Sequence, residues 1–288
     1  MFFKIKSAVR ALLKHYGRHL VYIPPLEITG FDLEHDLRVL IDAPQPLVFD
    51  VGANVGQSIE FFQRTFPRGR IFAFEPDPDS FNELTRKYKD ENLQLFQMAL
   101  SNDEGDAQMY QYENSELNSL LRFDPNPENC FANIKTVGKL SVITRKIDSI
   151  IDDLGIAQLD LLKVDTQGWD YNVLMGAARA FANGRIKAVL VELNFDPMYQ
   201  GQARAETIKS YLDENGFRLV DFYEKIYRYK RLSWCTALFT SAKPDGDAFH
   251  LPWQFKSNFG VNAQQRILTS ALSCNPTFML ENSWIDGN

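Results

Sequence analysis

The chain of 288 residues has little of several things. The roughly 18 consecutive apolar residues that a membrane-crossing helix needs occur nowhere. The N-terminus has no clean apolar leader segment, because Lys4, Lys6, Arg10 and Lys14 interrupt it, so no signal peptide is expected. Cysteine is scarce: Cys130, Cys235 and Cys274 are far apart with no C-x-x-C pair. That excludes a disulfide frame or a cysteine-held zinc and fits a reducing, cytoplasmic setting. The histidines are His15, His19, His35 and His250; none falls on the predicted sheet edge, and each reads as a surface residue. Positive charge is not in excess: the net charge of −6 carries no general nucleic-acid signature. There is no internal repeat and no low-complexity tract.

What is present is centred on Leu47-Val48-Phe49-Asp50-Val51-Gly52-Ala53-Asn54-Val55-Gly56. A short apolar run ends in a glycine turn, and a helical pattern begins at once. The loop's backbone N–H groups and the positive helix end suit an electron-rich ligand group. Gly52 and Gly56, lacking Cβ, would let a ligand lie against the main chain. Arg70 to Phe74 reads as the next strand and ends in Glu75-Pro76, where an acidic residue about 20 positions after the glycine turn holds a ribose. The loop is neither G-x-G-x-x-G nor G-x-x-x-x-G-K-[ST], and Asp50 would repel a pyrophosphate. An acidic, phosphate-free loop fits a cationic or zwitterionic nucleoside, of which S-adenosylmethionine is the common one.

The rest of the chain alternates strand and helix. Strands are expected at 47–51, 70–74, 93–98, 159–164 and 188–193, with helices at 58–66, from 76–78 onward, 147–154, 171–181 and 206–215. Such alternation implies a parallel sheet with the ligand beyond the strands' carboxyl ends. Residues 217–222 and 233–240 are expected as a closing antiparallel hairpin joined by the basic, aromatic Tyr223 to Arg231. The stretch 99–146 interrupts the alternation and is read as a lid or edge hairpin, with strands at 108–112, 117–123 and 140–146 and a loop at 125–133. The domain is bounded at 45–243. Residues 1–44 are a helical extension, Phe31 to Ile41 being its second helix. The first, over 1–20, is basic and amphipathic; it is read as packing on the domain, with a peripheral contact to an anionic membrane as the alternative. Residues 244–288 are read as a tail or cap.

Several motifs occur in one order: Asp50-Val51-Gly52-Ala53-Asn54-Val55-Gly56, Glu75-Pro76-Asp77-Pro78, Ala99-Leu100-Ser101-Asn102 with Gly105, Asn118-Ser119-Leu120, and Leu162-Lys163-Val164-Asp165-Thr166-Gln167-Gly168. Over roughly residues 45–242 this resembles the FkbM-type family of S-adenosylmethionine-dependent methyltransferases. The resemblance implies an α/β fold, a class I Rossmann-like sheet of seven strands with the last antiparallel. It implies O-methylation of a hydroxyl on a small-molecule or glycan acceptor. By motif, Asp50, Gly52, Ala53, Asn54 and Gly56 would surround the methionine part of the cofactor, Glu75 and Pro76 the ribose, and Ala99, Leu100 and Ser101 the adenine. The family often carries Glu where this chain has Gln167, and Glu where it has Asp170; a neutral Gln cannot act as a base.

Methyl transfer from a sulfonium needs donor and acceptor oxygen held in line and water excluded. A base for the hydroxyl proton helps. Asp165, at the end of the fourth strand, is the first choice for that base and a further cofactor contact. Asp165, Glu192 and Asn194 could alternatively share a divalent cation, though none is required, and Asp165 could instead cap the helix at 171. Two further readings stay open: a nicotinamide-dependent oxidoreductase and a non-catalytic Rossmann-like scaffold. Neither the acceptor nor the oligomeric state is legible.

Overall fold

The computed structural model describes residues 28, 30–126, 129 and 134–241. The expectations for residues 1–20 and 244–288, for most of the loop at 125–133, and for Cys130, Cys274, His15, His19 and His250 lie outside the described residues.

The chain enters through α1 (Leu33–Leu40) and then runs β1 (Leu47–Val51), α2 (Gln57–Thr65), β2 (Arg70–Phe74), α3 (Pro78–Lys87) and β3 (Leu93–Phe96). Next come β4 (Ala99–Leu100), β5 (Gly105–Tyr112), a 3-10 turn (Ser115–Leu117) and β6 (Thr136–Arg145). It finishes with α4 (Ile147–Asp153), β7 (Leu159–Val164), α5 (Asp170–Met175), α6 (Ala178–Ala182), β8 (Ile186–Asn194), α7 (Ala205–Glu214), β9 (Arg218–Arg228) and β10 (Arg231–Thr240). The large sheet has seven strands in the order β3-β2-β1-β7-β8-β10-β9. β1, β2, β3, β7 and β8 pair in parallel, while β10 is antiparallel to both β8 and β9. This is the arrangement that the resemblance implies, seven strands with the last one antiparallel.

Side-chain alternation along the strands puts two apolar layers on the sheet. Phe49, Val51, Phe72, Phe74, Leu162 and Val164 face the layer closed by α4, α5, α6 and α7. Val48, Ile71, Leu161, Ala188, Leu190 and Leu238 face the other, where Leu37 of α1 and Phe62 of α2 pack. The strands that carry the site are therefore buried on both faces, as parallel strands are.

Four sequence expectations change in detail. The strand at 93–98 stops at Phe96, and Ala99–Leu100 pairs instead with Thr144 and Arg145 in a separate sheet, β4-β6-β5. The expected strand at 117–123 is not a ladder. It follows the 3-10 turn and makes only isolated bridges, Tyr110 to Ser119 and Phe123 to Tyr199. Side chains hold it: the Tyr112 N–H donates to Asn118 Oδ1 at 2.9 Å and Ser119 Oγ to the Gln167 carbonyl at 2.7 Å.

The helix over 171–181 is two helices. Asp148 N–H donates to the Gly176 carbonyl at 3.0 Å, and the Asp148 carboxylate caps the second helix by accepting from the N–H groups of Arg179 and Ala180. A Cβ on Gly176 would lie 2.1 Å from the Ser101 carbonyl oxygen, so the break is where two segments of backbone touch. Finally, the connection at Tyr223 to Arg231 is mostly strand. The reversal needs only Tyr229 and Lys230, both at positive φ (49° and 65°), the geometry of a two-residue hairpin turn.

Candidate functional site

The loop after β1 lies over the carboxyl edge of the sheet. Its backbone donors are already used: the N–H groups of Gly52 and Ala53 donate to the Phe74 carbonyl at 3.0 and 3.2 Å, and Gly56 N–H to the Ala53 carbonyl at 2.9 Å. Free N–H groups for a ligand are thus not found at Gly52, Ala53 or Gly56. The glycines serve the chain's own packing. A Cβ on Gly52 would stand 1.9 Å from the Asp165 carbonyl oxygen, and one on Gly56 would stand 2.5 Å from the Tyr88 ring. Both take positive φ, +81° and +98°.

Glu75 ends β2 and is buried. Its Oε2 accepts from Asn54 N–H and its Oε1 from Asp77 N–H, both at 2.8 Å. Burial pushes its carboxyl up to about 7, although the two backbone donors oppose that rise. Each oxygen keeps a lone pair, so the group can still accept hydroxyls.

Asp50 is fully buried in β1. Ser58 Oγ donates to its Oδ2 at 2.5 Å, and Lys163 Nζ lies 3.0 Å from its Oδ1. Lys163, from the neighbouring β7, also donates to the Gly52 carbonyl at 2.8 Å. Burial works against its charge, but Asp50 and then Asp165 outweigh burial and hold the amine above the ordinary lysine value. Asp165 follows β7; its Oδ2 is 3.9 Å from Lys163 Nζ, and its side chain is 41% exposed. Gln167, at φ 54°, donates from Nε2 to Asp165 Oδ1 at 3.0 Å. The Tyr199 hydroxyl reaches Gln167 Oε1 at 3.0 Å and the Leu117 carbonyl at 3.1 Å.

Asp165 therefore does not cap the following helix. Asp170 closes that turn, accepting from Thr166 N–H at 2.9 Å and Gly168 N–H at 3.1 Å. Burial, and then the charge of Asp165, raises Asp170 to about 6.

A cavity of about 460 Å³ opens at this edge. Its wall includes Gly52, Ala53, Asn54, Glu75, Pro76, Ala99, Leu100 and Asp165 among the residues singled out from sequence. Asp50, Gly56 and Ser101 are not on the wall; they stand behind it. Asp50 is covered by Lys163 and Ser58, Gly56 by Tyr88, and the Ser101 hydroxyl receives the Trp169 indole N–H at 3.3 Å. Met98, Met109, Leu120 and Trp169 make the wall apolar near Ala99.

Glu192 is also on the wall, raised well above the usual carboxylate range by burial and then by Asp165 and Asp170. Asn194 is not. Its Nδ2 donates to Glu192 Oε2 at 3.1 Å, which turns its nitrogen rather than its oxygen toward the carboxylate. Among the described residues no group of three or more His, Cys, Asp and Glu is arranged to hold a metal ion, and a lysine ammonium already stands beside Asp165. Sequence reasoning missed the parts played by Lys163, Tyr199, Thr236 and Glu224. A lone lysine inside Leu161-Leu162-Lys163-Val164 was a readable signal, since lysine is almost never buried unpaired. The others carried none.

The comparisons with known proteins agree with one another. A family model described as the methyltransferase FkbM domain matches residues 50–219. The chain is similar to the 2-O-methyltransferase NoeI of Sinorhizobium fredii, at 26% identity over 175 residues, covering 57% of this chain and 69% of that one. It is similar to the hexuronic acid methyltransferase AglP of Haloferax volcanii, at 25% identity over 56% of this chain and 63% of the relative. It is likewise similar to the 31-O-demethyl-FK506 methyltransferase FkbM of Streptomyces tacrolimicus, at 26% identity over 52% of this chain and 66% of the relative.

Proposed function

The chain belongs to the FkbM methyltransferase family, and from that membership we propose that it O-methylates a hydroxyl of a carbohydrate or natural-product-like metabolite, with S-adenosylmethionine as donor. The observation that carries the reading is the cavity itself. It runs along the carboxyl ends of the strands, from Glu75 at the end of β2 to Asp165 at the end of β7, with the β1 loop between them.

The residues present fit the donor. A buried carboxylate beside the cavity, Glu75, suits a ribose diol, the apolar slot at Met98, Leu100 and Leu120 suits an adenine, and an acidic wall suits a cation. S-Adenosylmethionine supplies a methyl group on a positively charged sulfur. Asn54 and Gly52 hold the chain against the methionine end, with Asp50 acting through Lys163 and Ser58. Asp165 takes the hydroxyl proton, its carboxylate aimed by Gln167 and Gln167 in turn by Tyr199. The names of two relatives, a 2-O-methyltransferase and a 31-O-demethyl-FK506 methyltransferase, support a hydroxyl acceptor, and that of the third, a hexuronic acid methyltransferase, supports a carbohydrate.

The test is calorimetric titration of the full chain with S-adenosylhomocysteine, followed by methyl transfer from labelled S-adenosylmethionine to hydroxyl-bearing acceptors. Saturable binding and label in an ether are expected. No heat with either nucleoside would overturn the reading. Binding that is unchanged in Glu75→Ala would overturn the ribose assignment.

A further inference from the structure

The cavity has a second arm that the cofactor residues do not use. Strand register explains it. Asp50 pairs with Lys163, Lys163 with Leu190, and Glu192 with Thr236. Period-two alternation places these side chains on one face, the face where α1 and α2 pack. On this face Leu33, Phe61 and Phe62 of the two helices and Glu192, Thr236 and Glu224 of the strands line the cavity.

Glu224 is built into this arm by an irregularity. It lies in β9 at φ 48°, where the pairing with β10 shifts register between Trp234 and Thr236. A bulge of this kind re-aims a side chain. Here it gives Glu224 Oε2 a hydrogen bond from Thr236 Oγ1 at 2.9 Å and a place on the cavity wall. Non-glycine residues at positive φ persist only where the surroundings enforce them.

Charge narrows what can enter. Among the described residues the main cavity's wall carries the carboxyl groups of Glu75, Glu116, Asp165, Glu192 and Glu224, against the single ammonium of Lys163. That ammonium is already paired with Asp50 at 3.0 Å. An anion would find no free counter-charge on this described wall, whereas hydroxyl and ammonium donors find carboxyl oxygens that accept. The apolar side, with the Phe61 ring, suits the C–H face of a sugar ring.

Resting on the methyltransferase reading above, the geometry points to this arm as the acceptor subsite, made for a polyhydroxylated acceptor that is neutral or amine-bearing and that excludes uronates and sugar phosphates. Glu192, Thr236 and Glu224 receive its polar groups, and Phe61 receives its ring face.

The experiment uses the full chain loaded with S-adenosylhomocysteine. Saturation-transfer NMR and titration compare a matched set: a neutral hexoside, its amino-sugar counterpart and its hexuronic acid. The neutral and amino forms are expected to bind at least ten-fold more tightly than the uronate. Glu224→Lys is expected to narrow or invert that ratio while the affinity for S-adenosylhomocysteine stays constant. Phe61→Ala is expected to weaken all three sugars together. Equal or tighter binding of the uronate, an unchanged ratio in Glu224→Lys, or no sugar binding to the loaded protein would each overturn the subsite. Loss of S-adenosylhomocysteine binding in the unmodified chain would instead overturn the functional reading beneath it.

Discussion

Lys163 Nζ and Asp50 Oδ1 stand 3.0 Å apart at adjacent register positions of two parallel central strands. Neither charge faces water: Asp50 is fully buried and Lys163 nearly so. Removing one partner leaves the other as an uncompensated buried charge, which costs about 3–5 kcal/mol. Lys163→Met should therefore destabilise the fold by that order in urea denaturation, and Asp50→Asn by less, since the amide can keep the Ser58 bond. The double variant should lose less than the sum of the two, and additivity in that cycle would show that the pair is not coupled. Because the Lys163 amine is held above its ordinary 10.5, this stabilisation is whole below that pH. It should be lost only as pH rises further into the alkaline range.

Glu75 predicts a loss of stability with rising pH in a lower window. Its carboxyl titrates at about 7 in the fold against an ordinary 4.5, so the folded state holds the proton more tightly than the unfolded one. Stability contributed by this group is greatest at low pH and falls as pH rises from 4.5 to about 7, by up to about 3 kcal/mol. Ligand binding runs the other way: a ribose diol donates, so it prefers the ionised form. Affinity for S-adenosylhomocysteine should rise several-fold between pH 6 and pH 8. Glu75→Gln should flatten both slopes and weaken binding at pH 8 by at least ten-fold; slopes that survive the substitution would assign them to another group.

These two carboxylates differ in how far the sequence announced them. Asp50 and Glu75 were legible because strand, glycine turn and acidic strand end recur at fixed spacing, and the sheet followed from the alternation around them. The ends of elements were less legible. The halt at Gly176 depends on the Ser101 carbonyl, which is 75 residues away in sequence, and the detachment of Ala99–Leu100 depends on pairing with Thr144 and Arg145. The packing role of the loop glycines was hidden for the same reason, since Asp165 and Tyr88 stand where an added Cβ would be. Tyr199, Thr236 and Glu224 reach the site through loop geometry, a register shift and a positive φ, none of which leaves a periodic trace.

Gln167, where the resemblance implies a Glu, can be tested directly. Its amide donates to Asp165 and accepts from Tyr199, so it aims the carboxylate proposed as the base without being a base itself. Tyr199→Phe should lower kcat by roughly ten-fold, the loss of a positioning hydrogen bond, with little change in S-adenosylhomocysteine affinity. Gln167→Glu should set a second carboxylate against Asp165 and move the acid limb of the kcat/KM profile to higher pH. A profile that stays in place while the rate falls would leave Gln167 a merely structural role and remove Asp165 as the base.

Gly52 joins the two halves of the site, and a pair of alanine substitutions separates its two requirements. Its φ of +81° would strain any L-residue by about 1–2 kcal/mol. Gly155 offers the matching control: it also takes positive φ, +60°, but an added Cβ there meets nothing within 4 Å. Gly155→Ala should therefore show the conformational strain alone. Gly52→Ala should show the same strain plus the clash with the Asp165 carbonyl oxygen, 1.9 Å from the added Cβ. That clash pushes apart the β1 loop and the end of β7, the segments that carry Asn54 and Asp165. The excess loss in Gly52→Ala should exceed about 2 kcal/mol and be accompanied by loss of nucleoside binding, whereas Gly155→Ala binds normally. Should both variants lose the same stability, the loop and the strand end do not touch as described, and the geometry assigned to the donor end of the cavity falls with that contact.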